Sequence, residues 1–193
     1  MKNFILFLAV TFGLLIYGCA GGNKSNQTSG ASADTETAQD EPVNRGYIVN
    51  VGDMAPDFTI TTTGGEVRKL SELRGRIVML QFTASWCSVC RKEMPFIERD
   101  IWQKHKENPN FALYGIDRDE PLETVKEFAG QAGITYPLAL DPGADFFALY
   151  ADRQAGITRN VIIDREGRIS MLTRLYDENE FAAMCKKIDE LLQ

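Results

Sequence analysis

Two cysteines three residues apart, placed where an apolar strand hands over to a helix, constrain this chain more than any other feature. The run Ile77-Val78-Met79-Leu80-Gln81-Phe82 precedes Trp86-Cys87-Ser88-Val89-Cys90, and the helix-forming Arg91-Lys92-Glu93-Met94 follows. A helix start leaves backbone N–H groups unpaired and carries a partial positive charge, and both favour a thiolate at the first cysteine. Cys90 lies less than one turn further on, close enough to close a small disulfide ring with Cys87 and release whatever Cys87 has attacked. A helix terminus contributes about 0.3–2 kcal/mol and one pKa unit is about 1.4 kcal/mol, so without other donors it lowers the Cys87 pKa by roughly one unit at most. The spacing also fits half of a zinc site, but tetrahedral zinc needs two further ligands, and His105, Cys185 and scattered carboxylates form no second paired motif. A purely structural bridge would close too short a loop to stabilise a domain much. Redox chemistry is the leading reading, with no metal and no cofactor expected.

The chain opens with Lys2 and an almost wholly apolar stretch from Phe4 to Tyr17, then Gly18-Cys19. This is short for a membrane span and is similar to a bacterial secretory signal peptide. Ile16-Tyr17-Gly18-Cys19 resembles a lipobox, which makes residues 1–18 a removed leader and Cys19 the lipidated N-terminus; an uncleaved signal anchor is the alternative. Several acyl chains on one residue anchor a protein stably without crossing the bilayer, which places the head in the bacterial cell envelope. Residues 19–46 are rich in Gly, Ser, Thr, Asn and Gln and lack large apolar runs, so they cannot offset their ordering entropy and read as a flexible linker. Residues 47–193 are the size of one domain. A net charge of −6 argues against a nucleic-acid surface, and no nucleic-acid partner is expected.

Compact or alternating apolar runs predict strands near Asp57–Thr61, Ile77–Phe82, Phe111–Ile116, Asn160–Ile163 and Arg168–Leu172. Gly64-Gly65 turns the first back toward Val67, and Glu166-Gly167 joins the last two as a hairpin. Helical spacing covers residues 87–106, 122–131, 145–151 and 178–192, with Pro95 kinking the first. Strands alternating with helices imply an α/β fold with a central mixed sheet, and reactive groups gather at the carboxyl ends of strands, where Cys87 lies.

Three segments now carry a specific resemblance: Gly52-Asp53-Met54-Ala55-Pro56-Asp57-Phe58, Trp86 to Pro95, and Val161 to Ile169. In this order and spacing they resemble the TlpA/ResA-like thioredoxin-fold thiol-disulfide oxidoreductases over residues 47–193. The resemblance implies a thioredoxin fold with an N-terminal β-hairpin extension and an insertion before the fourth helix. It also implies a membrane-tethered head facing the periplasm that reduces disulfides of extracytoplasmic proteins, apocytochromes among them, and is recharged by a membrane electron donor.

Three positions depart from the pattern. Gln81 stands where thioredoxins carry a buried Asp, so Glu93, which matches the glutamate of the TlpA/ResA-like group, is the expected proton acceptor for Cys90; an exposed helical glutamate is the alternative. Thr158 stands where relatives place a cis-proline against the dithiol. A cis bond before a non-proline costs about 2.5–4 kcal/mol, so the Ile157–Thr158 bond is expected to be trans, and Ile157, Thr158 and Trp86 are the expected substrate-binding residues. Thr83 replaces a tryptophan, leaving Trp86 to cover the cysteines or to pack in the core. His105 and Arg159 are expected to be solvated, and Cys185 is expected to be a small buried hydrophobe.

The expected function is reduction of protein disulfides, with Cys87 exposed and attacking and Cys90 shielded and resolving. A peroxiredoxin-like peroxidase shares the Ala55-Pro56-Asp57-Phe58 opening, but its Pro-x-x-x-Thr-x-x-Cys pattern meets Leu80 and Ala84 here. A non-catalytic thioredoxin-like binding module is the third reading.

Overall fold

The computed structural model describes residues 45–193. The expected leader, the lipidated Cys19 and nearly all of the 19–46 linker lie outside the described residues. Among the described residues no helix is long and apolar enough to cross a membrane.

A small antiparallel sheet comes first, β1 (Thr59–Thr61) with β2 (Val67–Lys69), turned through Gly65 at φ +87° as the glycine pair predicts. The main sheet has the order β5-β4-β3-β6-β7, built from β3 (Ile77–Thr83), β4 (Phe111–Arg118), β5 (Leu138–Asp141), β6 (Arg159–Ile163) and β7 (Ile169–Arg174). β3, β4 and β5 run parallel, while β6 pairs antiparallel with β3 and β7. The helices are α1 (Ser88–Ile97), α2 (Gln103–His105), α3 (Leu122–Ala132), α4 (Phe147–Tyr150) and α5 (Glu178–Leu192). This is the mixed α/β thioredoxin fold with a separate two-stranded sheet.

β3 is buried at every position because it lies mid-sheet with both faces covered. Val78, Leu80 and Phe82 face a core shared with Ile60, Leu73, Phe147 and Tyr150, and that core includes both cysteines. Ile77 and Met79 face the other core, against Met94 and Ile97 of α1, Val125 and Phe128 of α3, and Met184 and Ile188 of α5.

Several expectations need correction. The sequence predicts no strand at β5, because a four-residue Leu138-Ala139-Leu140-Asp141 run ending before Pro142 is too short to show a period. The helix predicted over 87–106 is interrupted. Pro95 has no N–H to give the Arg91 carbonyl, and a π-helical turn over Glu98–Trp102 separates α1 from α2. The predicted 145–151 helix contracts to α4. Arg45 and Gly46 belong to the folded head: Arg45 pairs with Glu180, its carbonyl accepts from Arg159 Nη2 at 2.8 Å, and the Gly46 carbonyl accepts the Asp152 N–H at 3.0 Å. Arg159 is fully buried and lies over the Tyr47 ring, 4.4 Å from its centroid. His105 is largely covered, with Nε2 3.0 Å from Asp189 Oδ1 and its ring against Phe111.

Gly115 of β4 sits in register with Gln81 of β3. A Cβ there would lie 2.3 Å from Leu138 Cδ2 and 3.3 Å from the Tyr136 ring. Gly115→Ala is therefore expected to lower stability by about 1–3 kcal/mol through overpacking. Urea unfolding checks this, and an unchanged midpoint would refute it.

Candidate active site

The chain leaves β3 at Thr83 and turns sharply, the Cys87 N–H donating to the Ala84 carbonyl at 3.1 Å. Cys87 is the capping residue of α1: its backbone is extended, and its Sγ accepts the Cys90 N–H at 3.1 Å. One of the helix's unpaired donors is thus aimed at the sulfur, the arrangement that favours a thiolate. Cys87 and Cys90 are joined as a disulfide, as the spacing predicts. Cys90 is fully buried, and Cys87 keeps 6% of its surface. The expected order of access holds, but Cys87 is far more covered than the sequence implies.

The loop before the dithiol is pinned at Ser85. Glu120 accepts the Ser85 N–H and hydroxyl, each at 2.5 Å, and the Ser85 carbonyl accepts from Arg91 Nε at 2.7 Å. Beside Glu120, Asp117 of β4 is fully buried, and neither carboxyl oxygen has a hydrogen-bond partner among the described residues. Burial, with Glu120 and Asp141 nearby, pushes the Asp117 pKa up to about 8. Sequence reasoning missed this group, because Glu120 and Ser85 meet only through the parallel pairing of β3 with β4.

Glu93 is buried, not an exposed helical glutamate. Its Oε1 accepts from Asn160 Nδ2 at 2.7 Å and its Oε2 from Gln81 Nε2 at 3.5 Å. Gln81 Oε1 in turn accepts the Tyr136 hydroxyl at 2.6 Å, and Asn160 Nδ2 also donates to Thr173 Oγ1 at 2.9 Å. Burial pushes the Glu93 pKa up to about 7, against the lowering effect of the Asn160 and Gln81 hydrogen bonds. The departure at Gln81 thus supplies an amide that supports the carboxyl on α1. Asn160 and Tyr136 were missed; Asn160 heads an apolar strand run, and a lone amide there was the only available signal.

Thr158 faces the disulfide directly, its Oγ1 3.2 Å from Cys87 Sγ and 3.3 Å from Cys90 Sγ. Ile157 and Thr158 each retain only 3% exposure, so any substrate contact there is confined to an edge. Trp86 is 64% exposed and does not pack in the core. Leu175, also missed, is exposed at φ +63° where β7 ends, and its N–H donates to the Thr158 carbonyl at 3.1 Å. Cys185 is half-buried, and burial pushes its pKa up to about 11, which disfavours its thiolate. Leu80 and Ala84, at the positions of the peroxidase pattern, are buried and offer no hydroxyl. Among the described residues no group of three or more His, Cys, Asp or Glu side chains is placed to hold a metal.

Comparison with known proteins agrees with this geometry. The redoxin family model matches residues 50–192. The thiol-disulfide oxidoreductase ResA of Bacillus anthracis is 32% identical over 168 residues, spanning 87% of this chain and 86% of that protein. Among solved structures, a candidate protein disulfide isomerase from Bacteroides thetaiotaomicron shares 70% identity at a TM-score of 0.75, covering 76% of this chain and 92% of that one. A candidate thiol:disulfide interchange protein DsbE from Chlorobium tepidum shares 28% identity at a TM-score of 0.66, covering 75% and 99%. The chain therefore belongs to the redoxin family, as a thiol-disulfide oxidoreductase of the TlpA/ResA-like group.

Proposed function

We propose that this protein reduces disulfides of extracytoplasmic proteins from a lipid anchor in the bacterial cell envelope, recharged by a membrane electron donor. The observation that carries the reading is the asymmetric dithiol: Cys87 caps α1 and keeps some surface, while Cys90 is sealed beside a buried carboxyl three residues along the same helix. In the reduced state the Cys87 thiolate attacks a partner disulfide, forming a mixed disulfide and expelling one partner sulfur as a thiolate. Cys90 then gives its proton to the Glu93 carboxylate and attacks Cys87 Sγ. The Cys87–Cys90 bond forms, the second partner sulfur leaves as a thiolate, and two electrons have passed to the partner. With a pKa of about 7, Glu93 is poised to accept that proton near neutral pH. The exposed Trp86 offers the partner an apolar contact beside the attacking sulfur.

Anchoring is supported by the apolar stretch before Cys19 and by the polar composition that follows it. Cys19→Ser is expected to move an otherwise active protein from the membrane to the soluble fraction; retention on the membrane would favour a signal anchor.

Cys90→Ser leaves an attacker without a resolver, so partner proteins should accumulate on Cys87 as reductant-sensitive mixed disulfides in living cells, whereas Cys87→Ser should trap few or none. Non-reducing electrophoresis with mass spectrometry reads the difference. Capture by Cys90 alone, or parental turnover in both variants, would overturn the assignment.

Because the carboxylate is the active form of Glu93, resolution should speed up as pH rises through about 7. Glu93→Gln should slow resolution by about a hundredfold and abolish that inflection. A parental pH profile in the variant would remove Glu93 from the proton path.

A further inference from the structure

We propose that the Thr158 hydroxyl is a catalytic group of this enzyme, a hydrogen-bond donor that follows the negative charge from Cys87 Sγ to Cys90 Sγ. The proposal rests on the reading of Cys87 as the attacking thiol. The family resemblance implies proline at this position, and proline offers neither an N–H nor a side-chain donor. Here a hydroxyl lies within hydrogen-bonding distance of both reacting atoms, 3.2 Å from Cys87 Sγ and 3.3 Å from Cys90 Sγ.

The hydroxyl is held in place from several directions. Thr158 is buried, so little water competes for its O–H. Its carbonyl accepts the Leu175 N–H at 3.1 Å, and the next residue, Arg159, is paired with Phe82 of β3. A β-branched side chain has few χ1 choices, so fixing the backbone largely fixes the oxygen. A thiolate offers no proton, so toward it the hydroxyl acts only as donor.

Cys87 Sγ already accepts the Cys90 N–H at 3.1 Å. The helix terminus alone lowers a thiol pKa by roughly one unit at most, and a second aimed donor extends that limit.

During turnover the hydroxyl first donates to the Cys87 thiolate. As Cys87 bonds to the partner sulfur, its charge passes to the departing thiolate and Cys87 Sγ becomes a poor acceptor. Cys90, having lost its proton to Glu93, becomes the charged sulfur, and a rotation of the O–H redirects the bond to it. Cys90 then forms the new disulfide as the partner leaves. Threonine ends unchanged, neither deprotonated nor oxidised.

The test uses the full chain in a Cys90→Ser background, with alkylation of Cys87 followed by mass spectrometry across pH, so that Cys185 is resolved separately. Thr158→Val, which keeps the shape and removes the donor, should raise the Cys87 midpoint by about one pH unit or more. Thr158→Ser, which keeps the donor, should leave it within a few tenths of a unit. With Cys90 restored, and at a pH above both Cys87 midpoints, Thr158→Val should shift the dithiol–disulfide equilibrium about tenfold toward disulfide, about 30 mV more reducing. Thermal unfolding controls for folding, and Thr158→Ala carries the same expectation should the valine variant not fold. An unchanged Cys87 midpoint in the valine variant, or equal shifts with valine and serine, would overturn the proposal and leave the attacker assignment standing. A lower midpoint at Cys90 than at Cys87 in the reduced parental chain would instead overturn the assignment, and the proposal with it.

Discussion

Burial of one carboxyl group organises much of the domain. Glu93 lies on the helix that carries the dithiol and keeps only 1% of its surface, so its polar partners come from the sheet beneath it. Gln81 and Asn160 supply them from directly opposed positions on β3 and β6. Their own second contacts, to Tyr136 and Thr173, reach outward to the connection before β5 and to β7. Gly115 is the cost of that arrangement in sequence terms: on the strand beside Gln81, any side chain would occupy the space of the Tyr136 ring and Leu138.

The buried carboxyls also set the direction of the pH dependence. Glu93 and Asp117 hold their protons more tightly in the fold than in the unfolded chain. The folded state therefore binds more protons between about pH 4 and pH 8, and stability falls as pH rises through that window. The loss is on the order of a few kcal/mol per group at most. Such groups persist only where chemistry needs them or where other contacts offset them. Glu93 has a chemical use three residues from Cys90. Asp117 has a mechanical setting, beside the Glu120 carboxylate that holds Ser85 and so the approach to Cys87.

The dithiol, most strands and the long helices were legible from local pattern. Cys87 and Cys90 could be placed on a helix start because an apolar strand run precedes them and helix formers follow. What stayed hidden depends on contacts between distant segments. Whether Glu93 faces water or the core cannot be read from its helix position alone, because the answer lies in two amides on separate strands. Arg159 looked like a surface residue because arginine is usually solvated, yet Arg45 and Tyr47 close over it. Trp86 failed in the opposite sense: large aromatics are usually covered, and this one is exposed. β5 was lost because four residues cannot establish a period, although pairing with β4 fixes its register.

The substitution at Thr158 and the presence of Glu93 now read as two parts of one solution. Resolving a mixed disulfide in a buried site poses two separate problems: removing a proton from Cys90, and stabilising the charge that remains on its sulfur. Glu93 addresses the first from the helix side, where burial raises its pKa into the working range. A hydroxyl at Thr158 addresses the second from the loop side, 3.3 Å from the same sulfur. The two roles are complementary: a base takes the proton from the thiol, and a donor lowers the energy of the thiolate that remains in a buried site. Proline in place of Thr158 would leave the backbone N–H of Cys90 as the one donor aimed at Cys87 Sγ in this site. The hydroxyl therefore shifts the balance toward the reduced dithiol, so within a shared fold this position tunes how strongly the enzyme reduces its partners.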